Sequence, residues 1–253
     1  MNYGKNKASK KQKEITSKAT MQSKRIGVRL FKAFLLCLLL IVIACIIAGF
    51  VFLKKIIDDS PDITAEDVRP SGYTSIAYAD DGVTEIERFV TSGSNRVYKS
   101  ISEISEDVQH AFVAIEDERF YEHNGIDPMG IARAFVRGVA NGGHFTEGAS
   151  TITQQLIKNI TGEKDFSVER KIKEIFRALS LEKSNSKDQI MEAYLNSIHL
   201  GWNTDGVQAA ANLYFGKDVS QLSIAESAAL IAITQNPSKR ELFNHEENNR
   251  ERR

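Results

Sequence analysis

Three polar stretches of this chain have the residue types and spacing to act on a sugar or a phosphate. The first, Ala111-Phe-Val-Ala-Ile-Glu-Asp-Glu-Arg-Phe-Tyr-Glu-His-Asn-Gly125, is an apolar run that ends by delivering Glu116, Asp117, Phe120 and His123. A carboxylate set against apolar surroundings has its charged form disfavoured and its proton affinity raised, which suits general base work near neutral pH. The same residues also read as a helix end whose acids are solvated, the ordinary state of Asp and Glu. The second stretch, Gly148-Ala-Ser-Thr-Ile-Thr-Gln-Gln-Leu-Ile-Lys-Asn159, puts Ser150 ahead of a helix as its N-cap. Ile152 and Leu156 share an inward stripe, while Thr151, Gln155 and Lys158 recur at i, i+4 and i+7 on another face. Hydroxyl, amide and ammonium groups are thereby offered to a sugar or phosphate, with Gln154 and Asn159 alongside. An ordinary amphipathic helix is the competing reading. In the third stretch, residues 167–183, helical periodicity turns Ile172, Ile175, Phe176 and Leu179 inward and leaves Arg170, Lys171 and Glu174 on another side. That trio is either a surface ion pair worth about 0.2 to 0.5 kcal/mol or a cation cluster for a pyrophosphate, oriented by a carboxylate.

These groups need rigid elements behind them, and the flanking sequence supplies helices. Ser186-Lys-Asp-Gln189 is a capping box opening a fourth helix that carries Lys187, Glu192, Tyr194 and Asn196, for which packing is the dominant reading. Ser223-Ile-Ala-Glu226 is another, opening an Ala-rich packing helix that stops at Asn236-Pro237. Residues 74–78 and 85–90 read as short strands around the Asp80-Asp81-Gly82 turn. From Ser105 the pattern is helical nearly to a polar tail, Asn244 to Arg253, so the fold class expected is mainly α with a small β-hairpin region.

Residues 33–53 carry no charge and make a helix of about 30 Å, the thickness of a hydrocarbon core. A cleaved signal peptide would have a shorter apolar region, and a buried core helix would lack the flanking charge asymmetry. Lys5, Lys7, Lys10, Lys11, Lys13, Lys18, Lys24, Arg25, Arg29 and Lys32 precede the run against Glu14 alone, whereas Asp58, Asp59, Asp62, Glu66 and Asp67 follow it. The positive-inside bias then puts the basic tail, residues 1–32, in the cytoplasm and everything after Leu53 outside. Residues 54–73 read as a stalk broken by Pro61 and Pro70, and residues 74–253 as the functional domain. Among 253 residues, 42% hydrophobic, 33 Lys plus Arg balance 33 Asp plus Glu, so overall charge gives no argument for nucleic acid. Cys37 and Cys45 both lie in the apolar run, which excludes disulfides and thiolate metal sites downstream.

In this order the stretches resemble the family-51 glycosyltransferases, the glycan-polymerising domains of class A penicillin-binding proteins and of monofunctional peptidoglycan transglycosylases. Glu116-Asp-x-x-Phe120-x-x-His123-x-Gly125 is similar to the family's first motif, Gly148-x-Ser-Thr-x-Thr-Gln-Gln155 to its second, and Arg170-Lys171-x-x-Glu174 to its third. Lys187-x-x-Ile-x-Glu192-x-Tyr-x-Asn196 is similar to the fourth, and Ala228-Ala-Leu with Gln235-Asn-Pro-Ser238 to the fifth. The resemblance implies a lysozyme-like domain with a head lobe and a membrane-dipping jaw lobe, polymerising lipid II into β-1,4 glycan by inverting displacement of undecaprenyl pyrophosphate. It implies catalytic roles for Glu116, as general base, and Glu174. Substrate contacts are implied for Asp117, Phe120, His123, Ser150, Thr151, Gln154, Gln155, Lys158, Asn159, Arg170, Lys171, Glu192, Tyr194 and Asn196. No metal-ligand spacing is visible in the sequence, so Mg2+ or Mn2+ is an expectation of the resemblance alone. Implied partners are lipid II, the growing strand, the bacterial cytoplasmic membrane, and other cell-wall synthesis and division proteins. The family's longer closing helix is cut short here, so a C-terminally truncated domain is expected. Ser184-Asn-Ser-Lys187 lacks a Lys-Thr-Gly box, and no transpeptidase activity is assigned. Two other classes stay open: a lysozyme-like enzyme that cleaves glycan, which would leave the Arg170, Lys171 and Lys158 cations idle, and a non-catalytic membrane-anchored scaffold.

Overall fold

A computed structural model of the chain describes residues 3–60, 63, 67–68, 75–89, 95–144, 148–163, 165 and 167–252. It divides into two units, Met1–Asp58 and Asp59–Arg253. The first is one helix, α1 (Tyr3–Asp58). Its Arg29–Asp58 portion contains an 18-residue window of mean hydropathy 3.3 with no buried residue, and is long and apolar enough to cross a bilayer. Because α1 runs to Asp58, the first residues of the expected stalk, 54–58, are helical. Residues 61–62, 64–66 and 69–73 of that stalk lie outside the described residues, as do 74 and 90 at the ends of the two expected strands. Ile63 and Val68, also within it, are buried in the core of the second unit.

The second unit opens with a hairpin of β1 (Ser75–Tyr78) and β2 (Glu85–Phe89), paired antiparallel with an irregularity between Ala77 and Tyr78. Asp81 sets its turn, its Oδ1 accepting from Val83 N at 2.9 Å and Thr84 N at 2.8 Å. Helices follow: α2 (Glu106–Glu116), α3 (Pro128–Ala140), α4 (Ile152–Thr161), α5 (Val168–Ser184), α6 (Lys187–Ser197), α7 (Val207–Phe215), α8 (Ile224–Ile233), α9 (Pro237–Arg240) and α10 (Glu246–Arg250). The core lies where α2 packs on α8 and α4 packs on α5 and α6. Val108, Phe112, Phe120, Ile152, Leu156, Leu181, Ile190, Tyr194, Leu195 and Leu230 are all fully buried there. Ser186 and Ser223 cap α6 and α8 with the expected boxes.

Three expectations are corrected. The N-cap of α4 is Thr151, not Ser150: its hydroxyl accepts from Gln154 N and the Gln154 side chain returns to Thr151 N, a box that leaves Ser150 free to face outward. On α5 the inward stripe is Glu174, Arg177, Ala178 and Leu181, whereas Ile172, Ile175 and Leu179 are half-buried and Phe176 is exposed. Periodicity ranked the apolar side chains inward, but both buried charges are paired, Arg177 with Glu163 at 2.9 Å and Ser60 at 2.9 Å, and a paired charge tolerates burial. The polar stretch Asn244 to Arg253 is no tail. Its Asn249 is fully buried, the Nδ2 donating to Ala229 O and Arg240 O, each at 2.9 Å, which fastens α10 onto α8.

Candidate active site

Glu116 ends α2 and opens on a cavity of about 520 Å³ that also exposes Asp117, Glu118, Asp127, Arg133, Arg137, Ser150, Gln155, Gln235 and Arg252 along its walls. Three donors fix the carboxylate. Thr234 Oγ1 reaches Oε1 at 2.6 Å, Gln155 Nε2 reaches Oε2 at 2.8 Å, and Arg252 Nη2 lies 3.3 Å from Oε1. These come from the end of α8, from α4 and from beyond α10, so three separate elements converge on one acid. The surroundings are therefore polar rather than apolar, and a carboxylate aimed at by donors on both oxygens is held as an acceptor.

Asp117 works behind that acid. It is buried, caps α2, accepts from Ile152 N at 3.0 Å, and faces His123 Nε2 at 2.9 Å. His123 Nδ1 accepts from Gly125 N at 3.2 Å, so the ring proton sits on Nε2 and is donated to Asp117. Asp117 and His123 thus clamp the loop after α2 to the start of α4. Gly125 belongs to the same clamp: its φ is +92°, a Cβ there would lie 2.8 Å from Ala178 O, and its carbonyl accepts from Thr151 Oγ1 at 2.7 Å. Gln155 is fixed in turn by Tyr194, whose hydroxyl donates to Gln155 Oε1 at 3.2 Å. Burial, with the charges of Glu116 and Asp117, pushes the Tyr194 hydroxyl well above its ordinary range, so it stays a neutral donor.

The cation cluster meets this cavity through Ser150. Lys171 Nζ donates to Ser150 Oγ at 2.8 Å and is paired with Glu174, which Arg170 Nη1 also bonds at 2.6 Å. Glu174 is only 5% exposed and takes both cations. Arg170, Lys171 and Glu174 therefore stand just behind the Ser150 wall rather than on it. Arg133 and Arg137 add positive charge from α3, and Arg119 holds the Asp127 carboxyl below the usual carboxylate range.

Other sequence-selected residues are brought elsewhere. Phe120 is fully buried, with Lys187 Nζ 4.3 Å from its ring centroid. Gln154 is spent on the α4 cap. Lys158 and Asn159 are exposed and have no side-chain partner among the described residues. Glu192 accepts from Tyr98 OH at 2.5 Å and Ile101 N at 2.7 Å, and Asn196 brackets Lys99 through its N and O, at 2.9 and 2.7 Å. Those two fasten the segment that precedes α2. Sequence reasoning missed Thr234, Arg133, Arg137 and Arg252. Thr234 stands one residue before the Gln235-Asn-Pro-Ser238 stretch, a signal that could have flagged it; Arg252 carried none, lying in what read as a polar tail.

A profile of the transglycosylase family matches residues 82–253. The chain belongs to that family. Among curated relatives it is 41% identical over 213 residues to penicillin-binding protein 1A of Clostridium perfringens strain 13, covering 83% of this chain and 31% of that protein. With penicillin-binding protein 1F of Bacillus subtilis it shares 43% identity over 181 residues, 72% of this chain and 25% of the relative. With penicillin-binding protein 1A of Escherichia coli the figures are 40% over 206 residues, 79% and 24%. The chain thus spans about a third or less of the length of these relatives. Membership accords with the mainly α domain described above. Among the described residues of this transglycosylase domain no three His, Cys, Asp or Glu side chains converge to hold a metal ion. The cavity's carboxylates are instead committed to Thr234, Gln155, Arg252, His123, Arg119 and Arg133.

Proposed function

We propose that this transglycosylase domain polymerises lipid II into β-1,4 glycan, with Glu116 as general base and the Arg170, Lys171 and Glu174 cluster serving the leaving pyrophosphate. One observation carries the reading: an acceptor carboxylate opens on a cavity whose Ser150 wall is bonded from behind by Lys171 of the cation cluster. The acceptor sugar's 4-hydroxyl gives its proton to Glu116 as its oxygen bonds the donor's anomeric carbon. On the opposite face the bond from that carbon to the pyrophosphate oxygen breaks, with inversion and no covalent glycosyl-enzyme. The charge that grows is on the departing oxygens, and cations already held in place stabilise it with little reorganisation. That task falls to Lys171 and Arg170, reached through Ser150, and to Arg133 and Arg137 across the cavity.

A lipid-tethered donor requires the cavity to stand near a bilayer. Two features support membrane association: the apolar α1, and Met129, Ile131, Phe135, Val136 and Val139 exposed along α3, which buries only Gly130 and Gly138. The basic N-terminal residues orient α1 with its start in the cytoplasm, so that a reporter active only outside the cytoplasm, fused after Arg253, is active.

Glu116→Gln keeps a side chain that Thr234 and Gln155 can still bond but cannot take a proton. It is expected to cut lipid II polymerisation by about 100- to 10,000-fold while the protein stays folded by circular dichroism. Turnover at the wild-type rate would remove Glu116 from the base role. Release of soluble fragments from isolated cell-wall glycan, with no polymer from lipid II, would reverse the direction of the chemistry.

A further inference from the structure

The chain has one tryptophan, and the fold strains its backbone to hold that ring outward. Trp202 has φ +44° and Asn203 φ +58°, the two non-glycine residues with positive φ among those described. A bulky side chain disfavours that region, and such an outlier persists only where its neighbours over-determine it. Here Gly201 O accepts from Thr204 N at 2.8 Å and from Thr204 Oγ1 at 2.6 Å, and Asn203 O accepts from Asn95 N at 2.9 Å. Trp202 Nε1 donates to Glu241 at 2.9 Å, a buried carboxylate that also accepts from Phe243 N, Asn244 N and His245 Nδ1. The indole is thus locked by its polar edge while remaining 58% exposed.

Phe243, itself 54% exposed, meets the indole at 5.7 Å and 81°, so the two rings form a corner rather than a stack. Beside this corner lies a cavity of about 270 Å³ rimmed by His199, Ser238, Asn244 and His245. The Ser238 and Asn244 side chains have no partner among the described residues. Each imidazole commits Nδ1 to a carboxylate, His199 to Asp205 at 2.9 Å and His245 to Glu241 at 3.0 Å, which leaves Nε2 open.

We infer that this corner is a glycan-binding subsite, outside the Glu116 cavity, for a β-1,4-linked N-acetylhexosamine chain. The C–H face of a pyranose covers an aromatic ring, while its hydroxyls and acetamide need donors and acceptors such as the Ser238 hydroxyl and the Asn244 amide, which stand on this rim with the Glu241 carboxylate. An alkyl ligand would leave those polar groups unbonded, and an anion would find no lysine or arginine on the rim. The subsite rests on the polymerase reading for its supply of ligand. Gln235 lines the Glu116 cavity and also a groove with Asn236, Lys239 and Arg240; Pro237 and Ser238 of the same short α9 face the Trp202 corner. The corner therefore lies across α9 from the place where a strand would be made.

As the sole tryptophan, Trp202 reports on this site alone. Titration of the full chain in detergent with chitohexaose is expected to give a saturable change in its emission. Asn244→Ala, an exposed change that keeps the indole, should weaken the apparent Kd by about 5- to 10-fold, and Glu116→Gln should leave it unaltered. Emission that stays flat while the protein still polymerises lipid II would overturn the subsite and spare the polymerase. A response in protein that makes no polymer would keep the subsite and remove the polymerase. Emission that follows protein concentration but not glycan would assign the corner to a second copy of the chain and end the proposal. An Asn244→Ala curve identical to wild type would do the same.

Discussion

Arg252 shows how one side chain near the end of the chain enters the site. It lies 3.3 Å from Glu116, and its Nε is buried with no partner among the described residues, so that N–H donor is unspent. A charge-assisted bond is worth about 1.5 to 3 kcal/mol, which predicts that Arg252→Ala lowers kcat for polymerisation by about 10- to 100-fold, with partial recovery in Arg252→Lys. Initial rates with lipid II, compared with the melting temperature of each variant, check it; an unchanged rate would leave Arg252 with only the fastening of the C-terminal segment. Glu241 gives a prediction in pH. Burial pushes its carboxyl up, but His245, Trp202 and the Phe243 and Asn244 amides together bring it down to about 2 from 4.5. A depressed carboxylate contributes stability that is fully present above the unfolded value and is lost as pH falls through about 4.5 toward 2. Melting temperatures of wild type and Glu241→Gln should therefore converge across that window, whereas a constant gap would contradict the assignment.

Among the elements, α4 carries the most. Its buried stripe, Ile152 and Leu156, fills the core, its cap closes on Gly125, and Gln155 bonds the Glu116 carboxylate. Thr151→Ala removes the cap and the bond to Gly125 together, and about 1 to 2 kcal/mol of stability should be lost in urea unfolding. Leu156→Ala should cost about 2 to 5 kcal/mol through the lost burial and the cavity it leaves. The two differ in activity: Thr151→Ala also loosens the Asp117 and Gly125 clamp, so its polymerisation rate should fall at temperatures where it remains folded. The α4 cap reads in sequence as Ser150, but only Thr151 stands three residues before Gln154, the offset a capping box requires, and the inward bond to Gly125 O selects the same hydroxyl.

For the whole molecule, the proposed use of a lipid-borne donor asks how the domain would stay near it. The uncharged core of α1 predicts recovery in the membrane fraction. Two arginines at Leu39 and Ile43 would each add about 2.5 to 3.5 kcal/mol to insertion, and the double variant should leave that fraction. Its retention there would shift the burden to the exposed apolar face of α3.

Sequence by itself determined the helical class, the apolar α1 and the capping boxes of α6 and α8, because periodicity, uninterrupted hydropathy and local side-chain bonds are properties of neighbours in the chain. Tertiary structure alone decided that Thr234 and Arg252, 118 and 136 residues from Glu116, bond it. It also decided that Asp117 and His123 act as a clamp, and that Glu174 and Arg177 turn inward where apolar neighbours were expected. Each of these turns on which charge finds a partner after the chain has closed on itself, and a buried ion is tolerated or excluded by that partner, not by its place in a helical repeat.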